Sequence, residues 1–254
     1  MLTQNEIKHI KSLQQKKFRR EFNQFVAEGP KLVEELIDSK FSFAGVYAKK
    51  EWFNNNAESL LKKEIPFTEI SSKEMERISG LVTPNNVLAV LKMPEENIPQ
   101  NIFGKELILV LDDIKDPGNL GTIIRTADWF GISNIICSEE SVDIYNPKVI
   151  QATMGSVARV NVYYTDLVAL FKEIKGKASI YGTFMDGDNI KNIKPEPAAI
   201  IVIGNEAKGV SAELIPFIQK RIFIPSHRMQ QENNPESLNA SIAAAVVCYE
   251  FRRN

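Results

Sequence analysis

Residues 106–131 read ELILVLDDIKDPGNLGTIIRTADWFG, an apolar run, a turn and then an apolar segment with helical spacing. The run predicts a buried strand, and the second segment predicts a helix that ends at Gly131. We assign the N-cap of this helix to Asn119. Its expected buried face consists of Ile123, Ile124, Ala127 and Phe130. A strand followed directly by such a helix is the repeating unit of a parallel α/β fold.

The same alternation continues to the C-terminus. The predicted strands are SNIICS, VARVNVYY, SIYGTFM, AAIIVIGNE and RIFIP, and the predicted helices are NPKVIQATMG, DLVALFKEIKG, SAELIPFIQ and ESLNASIAAAVVCYEFRR. Short β-branched strands between capped helices predict a parallel sheet covered on both faces. Ligands on such sheets bind beyond the carboxyl ends of the strands.

A boundary is predicted at EENIPQNIFGKE (95–106), which has helix breakers and little apolar period. It divides the chain into a domain of residues 1–95, a linker of 96–105 and a domain of 106–254. The first domain is predicted to be a small α/β unit. Its expected elements are a helix over about 4–25, a helix beginning at Pro30, strands FAGVYA, IPFTEI and VLAVLK, and a helix opened by Ser71 or Ser72.

Composition limits the possible partners. The 254 residues carry 31 basic and 32 acidic side chains, so no global field attracts polyanions, and nucleic acid has to be bound by local patches. Cys137 and Cys248 lie in apolar runs, which is typical of buried thiols in a reducing compartment. We expect no signal peptide, no membrane span and a cytoplasmic location. Because His9 and His227 are isolated, no metal site is predicted.

Arg125 lies off the apolar face of its helix, in the N-terminal half, where the helix dipole disfavours a cation. It is either a surface arginine paired with Asp128 or Asp116, or a group that binds an anionic ligand. The glycines of the preceding turn favour a ligand, because they let a backbone approach closely.

A second glycine loop, IVIGNEAKGVS (201–211), follows a predicted strand, and we expect Ser211 to cap the next helix. Such a loop suits a nucleotide-like ligand, although a tight turn without a ligand is the alternative. The chain contains neither G-x-G-x-x-G nor G-x-x-x-x-G-K-[ST], so a nucleotide-dependent oxidoreductase loses its main support.

The C-terminal helix is apolar nearly all round. Its main stripe consists of Leu238, Ile242, Val246 and Tyr249, and alanines fill much of the rest. Such a helix is buried on more than one side, so we predict a subunit interface. Ser237 and Asn239 bring polar groups to its first turn, as caps or as site residues.

The N-terminal segment combines basic and aromatic side chains. The basic residues are Lys8, Lys11, Lys16, Lys17, Arg19 and Arg20, and they interleave with Phe18 and Phe22. This pattern can follow a phosphate backbone. It is equally typical of a solvated helix face with Phe18, Phe22 and Phe25 in the core.

Three motifs together resemble the signatures of the SpoU/TrmH family of RNA ribose 2′-O-methyltransferases, within the knotted SPOUT class. They are N-x-G-x-x-x-R-T-A (119–127), I-G-N-E-A-K-G (203–209), and I-P (224–225) followed by E-S-L-N-A-S-I-A-A-A (236–245). The segment IKSLQQKKFRREFNQFVAEGPKLVEE is similar to the RNA-binding domain that precedes the catalytic domain in many members. The resemblance covers most of the chain.

This resemblance implies S-adenosylmethionine as methyl donor, a homodimer, a C-terminal trefoil knot and an RNA substrate, ribosomal rather than transfer RNA. It implies a donor pocket lined by Gly204, Ile224 and Leu238. It places Asn119, Arg125, Glu206, Ser237 and Asn239 around the ribose, and RNA contacts on Lys16, Lys17, Arg19 and Arg20. Because a guanidinium stays protonated, we assign Arg125 to clamping phosphate and stabilising alkoxide charge, with Glu206 orienting it.

Two segments depart from the family pattern. SHRMQQENNPE (226–236) is longer than the usual turn and lacks glycine, and TPNN (83–86) replaces a Pro-Gln-Gly turn. Two alternatives therefore accompany the main interpretation. One is a transfer RNA 2′-O-methyltransferase, and the other is a non-catalytic RNA-binding or ribosome assembly protein with a closed donor pocket.

Overall fold

The computed structural model describes residues 1–95, 97–226 and 237–253. The chain forms two compact units. The first comprises residues 1–95 together with 143–158, and the second comprises 96–142 together with 159–254. The sequence-based division at 95–106 assigned residues 143–158 to the second domain, whereas their contacts group them with the first unit.

The helices and strands follow the alternation expected from the sequence. The helices are α1 (Gln4–Ser12), α2 (Lys16–Phe22), α3 (Pro30–Ile37), α4 (Lys50–Lys62), α5 (Ser72–Ile78), α6 (Pro117–Trp129), α7 (Pro147–Thr153), α8 (Leu167–Glu173) and α9 (Ala240–Arg252). The strands are β1 (Gln24–Glu28), β2 (Phe43–Ala48), β3 (Phe67–Glu69), β4 (Val87–Lys92), β5 (Ile108–Leu111), β6 (Asn134–Ser138), β7 (Asn161–Thr165), β8 (Ser179–Asn189), β9 (Ala199–Ile203) and β10 (Lys220–Phe223).

The first unit is built on a four-stranded sheet in the order β1-β4-β2-β3. Only β2 and β3 run parallel among its pairs of described strands. The predicted helix over 4–25 is wrong. It is two helices followed by β1, because Asn23 adopts a left-handed conformation that ends α2. The helix starts at Pro30 and at Ser71, which forms a capping box with Glu74, are confirmed.

The second unit is a six-stranded sheet in the order β10-β8-β9-β5-β6-β7. Every pair in it is parallel, as predicted. The central strands β5 and β9 are buried along their whole length. This burial explains their continuous apolar runs. The predicted helix over SAELIPFIQ is wrong, since only a 3₁₀ turn forms at Ile215–Phe217 around Pro216, and Ser211 therefore caps no α-helix.

Helices α6 and α9 differ from prediction at their first residues. Asp116, not Asn119, caps α6, because Pro117 occupies its first turn. Gly131 ends α6 with a φ of 64°, as predicted. The helix predicted from Ser237 begins at Ala240 with Asn239 as its cap. The trefoil knot stays a prediction, since residues 227–236, which precede α9, lie outside the described residues.

Both cysteines are buried, as predicted. Burial raises the pKa of the Cys248 thiol to about 12 and also raises the pKa of Cys137. Within the described ranges, no helix is both long and apolar enough to cross a membrane.

Arg19 is a structural residue of the first unit. Only 2% of it is exposed. Its guanidinium pairs with Asp143 at 2.6 Å and donates to the carbonyls of Leu13 and Gln14. These bonds close the turn between α1 and α2 and tie it to the segment before α7. The assignment of Arg19 to the RNA-binding surface is therefore corrected.

We predict that Arg19→Ala lowers the free energy of unfolding of the first unit by about 3–5 kcal/mol, because it leaves Asp143 without its partner. Urea unfolding followed by emission of the buried Trp52 measures this loss. Arg20→Ala is the matched control, since Arg20 is exposed, and its effect is expected within about 0.5 kcal/mol. Equal stability of the two variants would contradict the structural role of Arg19.

Candidate functional site

Four residues of the predicted site are joined by hydrogen bonds. Asn119 Nδ2 donates to Glu206 Oε1 at 2.5 Å, and Asn239 Nδ2 donates to Asn119 Oδ1 at 2.9 Å. Ser237 Oγ donates to the main-chain carbonyl of Glu206 at 3.4 Å. The first turn of α6, the loop after β9 and the entry to α9 therefore meet at one place in the second unit. We call these four residues the polar cluster.

The caps of the two helices explain how the asparagines are placed. Asp116 Oδ1 accepts the main-chain N–H of Asn119 at 2.8 Å, so the Asn119 side chain is not used as a cap. Asn239 Oδ1 accepts from the main-chain N–H groups of Ser241 and Ile242. Its Nδ2 remains available for Asn119. Capping thus fixes both amides in the orientation that lets them bond to each other.

The loop after β9 is closed by main-chain bonds. Asn205 and Gly209 exchange two hydrogen bonds: the Asn205 N–H donates to the Gly209 carbonyl at 3.0 Å, and the Gly209 N–H donates to the Asn205 carbonyl at 2.8 Å. The Asn205 side chain accepts from Ala207 and Lys208 and donates to the carbonyl of Asp113. A Cβ on Gly204 would lie 2.3 Å from the Gly209 carbonyl carbon, so only glycine fits. This closed loop holds Glu206 in the polar cluster.

Arg125 is exposed on α6 and is not bonded to the polar cluster. Among the described residues it makes no ion pair or hydrogen bond. Asp128 pairs with Arg159 at 2.8 Å, and Asp116 caps α6, so the surface-pairing alternative is wrong. Glu206, which we expected to orient Arg125, bonds to Asn119 instead. The guanidinium is therefore available to a ligand.

Helices α6 and α9 expose large apolar side chains. Asn239 bonds to Asn119 at one end of the pair, and Arg252 donates to the carbonyls of Phe130 and Gly131 at the other, so the helices run side by side. Ile242 is 52% exposed, Tyr249 59% and Trp129 83%. Trp129 was not among the residues predicted to form the site. Its spacing of one turn from Arg125 nevertheless places both on the same face of α6.

The predicted donor-pocket residues lie where the loops adjoin the polar cluster. Gly204 follows β9, Ile224 follows β10, and Leu238 lies between Ser237 and Asn239. In the described part of the chain, their main-chain groups make no hydrogen bond. Leu238 is exposed, and Gly204 and Ile224 are half-buried. The atypical segment 226–236 lies, apart from Ser226, outside the described residues.

The remaining predicted RNA contacts lie on the first unit. Lys16, Lys17 and Arg20 are exposed on α2. Phe22, which is also exposed, stacks on Phe18 and packs edge-on against His9. The prediction that Phe22 lies in the core is therefore wrong, whereas Phe25 is fully buried. An exposed aromatic ring beside cations is a surface on which an unpaired base can stack.

Two family models match the chain. The SpoU rRNA Methylase family matches residues 106–249, and the MRM3-like substrate binding domain matches residues 4–89. The first match contains all three motifs and the polar cluster. The second contains the basic and aromatic surface of α2.

Several relatives resemble the chain over nearly its full length. The 23S rRNA (guanosine(2553)-2′-O)-methyltransferase RlmP of Bacillus subtilis is 30% identical, over 97% of this chain and 96% of its own. A putative RNA methyltransferase of the TrmH family from Porphyromonas gingivalis has a TM-score of 0.85 and 34% identity, over 99% and 98% of the two chains. An AdoMet-bound rRNA methyltransferase from Sinorhizobium meliloti has a TM-score of 0.87 and 28% identity, over 99% and 95%.

We predict that Gly204→Ala opens the loop after β9, because the added methyl forces the backbone at Gly209 and Val210 to move. The expected loss is about 1–3 kcal/mol. It corresponds to roughly 5- to 150-fold faster hydrogen–deuterium exchange of the Asn205 and Gly209 amides. Gly45→Ala is the control, since its Cβ makes ordinary contacts. Wild-type exchange over residues 201–211 in Gly204→Ala would refute the steric argument.

Proposed function

The chain belongs to the SpoU rRNA Methylase family, and on that premise we propose that it is a 2′-O-methyltransferase that uses S-adenosylmethionine to methylate ribosomal RNA. The observation that carries this proposal is the polar cluster, in which residues from all three motifs bond to one another. Arg125, on the same helix as Asn119, pairs with no described residue. The B. subtilis relative is named for a 23S rRNA nucleotide, and the S. meliloti relative binds the donor.

The residues adjoining the polar cluster fit the donor. The main-chain groups of Gly204, Ile224 and Leu238, which bond to no described residue, are suited to bind its polar edges, and the Ile224 and Leu238 side chains offer it apolar contacts. When bound, S-adenosylmethionine supplies an electrophilic methyl group, which forms a bond to ribose O2′ as its bond to sulfur breaks. The non-catalytic alternative requires the segment 226–236 to close this pocket, and apart from Ser226 that segment lies outside the described residues.

The chain's own residues act on the ribose and its phosphate. A 2′-hydroxyl is a weak acid, so it has to be held in line and lose its proton as it attacks. Arg125 binds the adjacent phosphate and stabilises the negative charge that develops on O2′, while the proton passes to water. Asn119, Ser237 and Asn239 hold the hydroxyl in place. Glu206 keeps Asn119 oriented through its hydrogen bond.

Ribosomal RNA is preferred to transfer RNA, because the relative that matches 97% of the chain is named for 23S rRNA. Mapping ribose methylation across total RNA from cells with and without the gene tests this choice. A site missing from ribosomal RNA in the deletion strain is the expected result, and a site missing from transfer RNA would overturn it. The proposed location is the cytoplasm, in keeping with two buried free thiols.

We propose that the chain is a homodimer that pairs through α6 and α9. Leu238, Ile242, Tyr249 and Trp129 together leave a large apolar surface exposed in the single chain. Contiguous apolar patches of this kind usually mark an interface. Arg125 lies on the same face of α6, so dimerisation would bring it close to a second copy.

We predict that Arg125→Ala lowers methyl transfer to ribosomal RNA from the deletion strain by about 10²–10³-fold or more. The donor affinity, measured by calorimetry, is expected to stay unchanged, because Arg125 binds the RNA rather than the donor. Arg125→Lys retains the charge but not the planar fork, so partial activity is expected.

Arg77→Ala is the matched control, since Arg77 is an exposed arginine of α5 in the first unit. It is expected to transfer methyl groups at the wild-type rate. Equal loss of donor binding and transfer in Arg125→Ala would refute the assigned role. Absence of donor binding in the wild-type protein would favour the non-catalytic alternative.

We predict that Ile242→Asp and Tyr249→Asp each convert the dimer to monomers, because they place a charge in an apolar interface. Sedimentation velocity measures the mass. Leu61→Asp is the matched control, since Leu61 is 64% exposed on α4 of the first unit, and this variant is expected to remain dimeric. A dimer that tolerates both α9 charges would show that another surface forms the contact.

A further inference from the structure

The first unit contains a cavity that the proposed reaction does not use. Its volume is about 360 Å³, which lies at the small end of the range for small-molecule sites. Its walls come from the turn after α1, strand β1, the loop after α5, and helix α7. The residues that line it include Gln14, Val26, Glu28, Leu81, Lys148 and Gln151.

The cavity walls are held in place by buried hydrogen bonds. The Glu28 carboxylate accepts from Ser79 Oγ at 2.6 Å and from the main-chain N–H groups of Gly80 and Asn85, both at 3.2 Å. These bonds fix both ends of the loop that carries Leu81. Opposite, α7 is anchored by its buried residues Val149, Ile150 and Thr153. The cavity is therefore preformed, which lowers the entropy lost when a ligand binds.

Two amides face this cavity without partners. Among the described residues, the side chains of Gln14 and Gln151 make no hydrogen bond. The amide of Gln14 lies over Gly80, where a Cβ would be 2.6 Å from its nitrogen. Each amide offers donors and an acceptor beside the apolar side chains of Val26 and Leu81. This combination suits a flat, neutral ring with a polar edge.

The charges at the cavity favour the base of a nucleotide inside it and the phosphate outside it. Glu28 lines the cavity with a carboxylate, which disfavours a phosphate inside it. Lys148, which is exposed and makes no ion pair with a described residue, lies at the rim and suits a phosphate outside. Gln14 lies between α1 and α2, whose exposed lysines include Lys11 and Lys16. A backbone bound along these cations would pass the mouth of the cavity.

We propose that this cavity binds one unpaired nucleobase of the RNA substrate, with adenine preferred. The inference rests on the proposed function, since it assumes an RNA substrate. Glutamine amides pair with adenine through two hydrogen bonds, and proteins read RNA sequence mainly from unpaired bases. The bound base is separate from the methylated nucleotide, because the polar cluster lies in the other unit.

The test measures binding of the full-length protein to fluorescently labelled single-stranded A8, U8 and C8 oligoribonucleotides by anisotropy. The Gln14→Ala/Gln151→Ala double variant removes both amides. Ala152→Leu fills the cavity from α7, where leucine is a good helix former. Asn55→Ala is the control, since it removes an exposed amide of α4 outside the cavity.

We expect tightest binding of A8, and a loss of about fivefold or more in A8 affinity for each cavity variant. Asn55→Ala should bind like the wild type. Wild-type affinity of the double variant for A8 would overturn the proposal, as would an equal loss for Asn55→Ala. The double variant removes only half-exposed or exposed groups, so it is expected to fold. It therefore still tests the proposal if Ala152→Leu fails to fold.

Calorimetry with S-adenosylmethionine separates this inference from the proposed function. Donor binding and the melting temperature should be unchanged in the double variant, because its residues lie in the first unit. Loss of A8 binding with intact donor binding supports the cavity site. A wild-type protein that binds A8 through the cavity but does not bind the donor would refute the methyltransferase while leaving the cavity site standing.

Discussion

The hydrogen bonds that converge on Asn119 are the constraint on which the site depends. One bond reaches Glu206, 87 residues along the chain, and another comes from Asn239, 120 residues along. Neither contact is local, so both require the sheet to bring the carboxyl end of β9 and the two helix starts together. An amide can meet this demand because it donates and accepts at once. A carboxylate or an ammonium at position 119 would satisfy only one neighbour.

Two neighbouring contacts explain why Arg125 has no partner among the described residues. Its natural acidic neighbours are used elsewhere, Asp116 as the cap of α6 and Asp128 as the partner of Arg159. Its exposed guanidinium shares a face of α6 with Trp129, and no described residue gives it a structural partner. Its attraction to a phosphate is strongest where a second protein surface encloses both groups, because electrostatic attraction strengthens as water is excluded. The proposed dimer and the proposed clamp therefore support each other.

Sequence patterns predicted the parallel sheet but not the ends of several elements. The family resemblance, rather than the patterns, grouped the residues of the polar cluster. The continuous apolar runs of β5 and β9 indicate full burial, which is typical of a parallel sheet covered on both faces. The amphipathic period from residue 4 to 25 concealed two breaks, since Leu13 and Phe25 continue the apolar spacing although they lie outside the helices. Arg19 was wrongly assigned to the RNA-binding surface. Its guanidinium is buried because it pairs with Asp143, which is far away in sequence.

The unit to which helix α7 belongs could not be predicted from sequence spacing alone. It stands between β6 and β7 in the chain, so the alternation assigned it to the second domain, yet the chain leaves that unit after Val142 and returns at Arg159. Gly155 makes this possible, because a Cβ there would lie 2.8 Å from Glu35 of α3. With α7 packed on β1, its residues Lys148 and Gln151 face Gln14 and Glu28 across one cavity. The segment 143–158 thereby supplies a wall of the cavity in the first unit, so the architecture of that unit depends on residues that interrupt the second unit in the sequence.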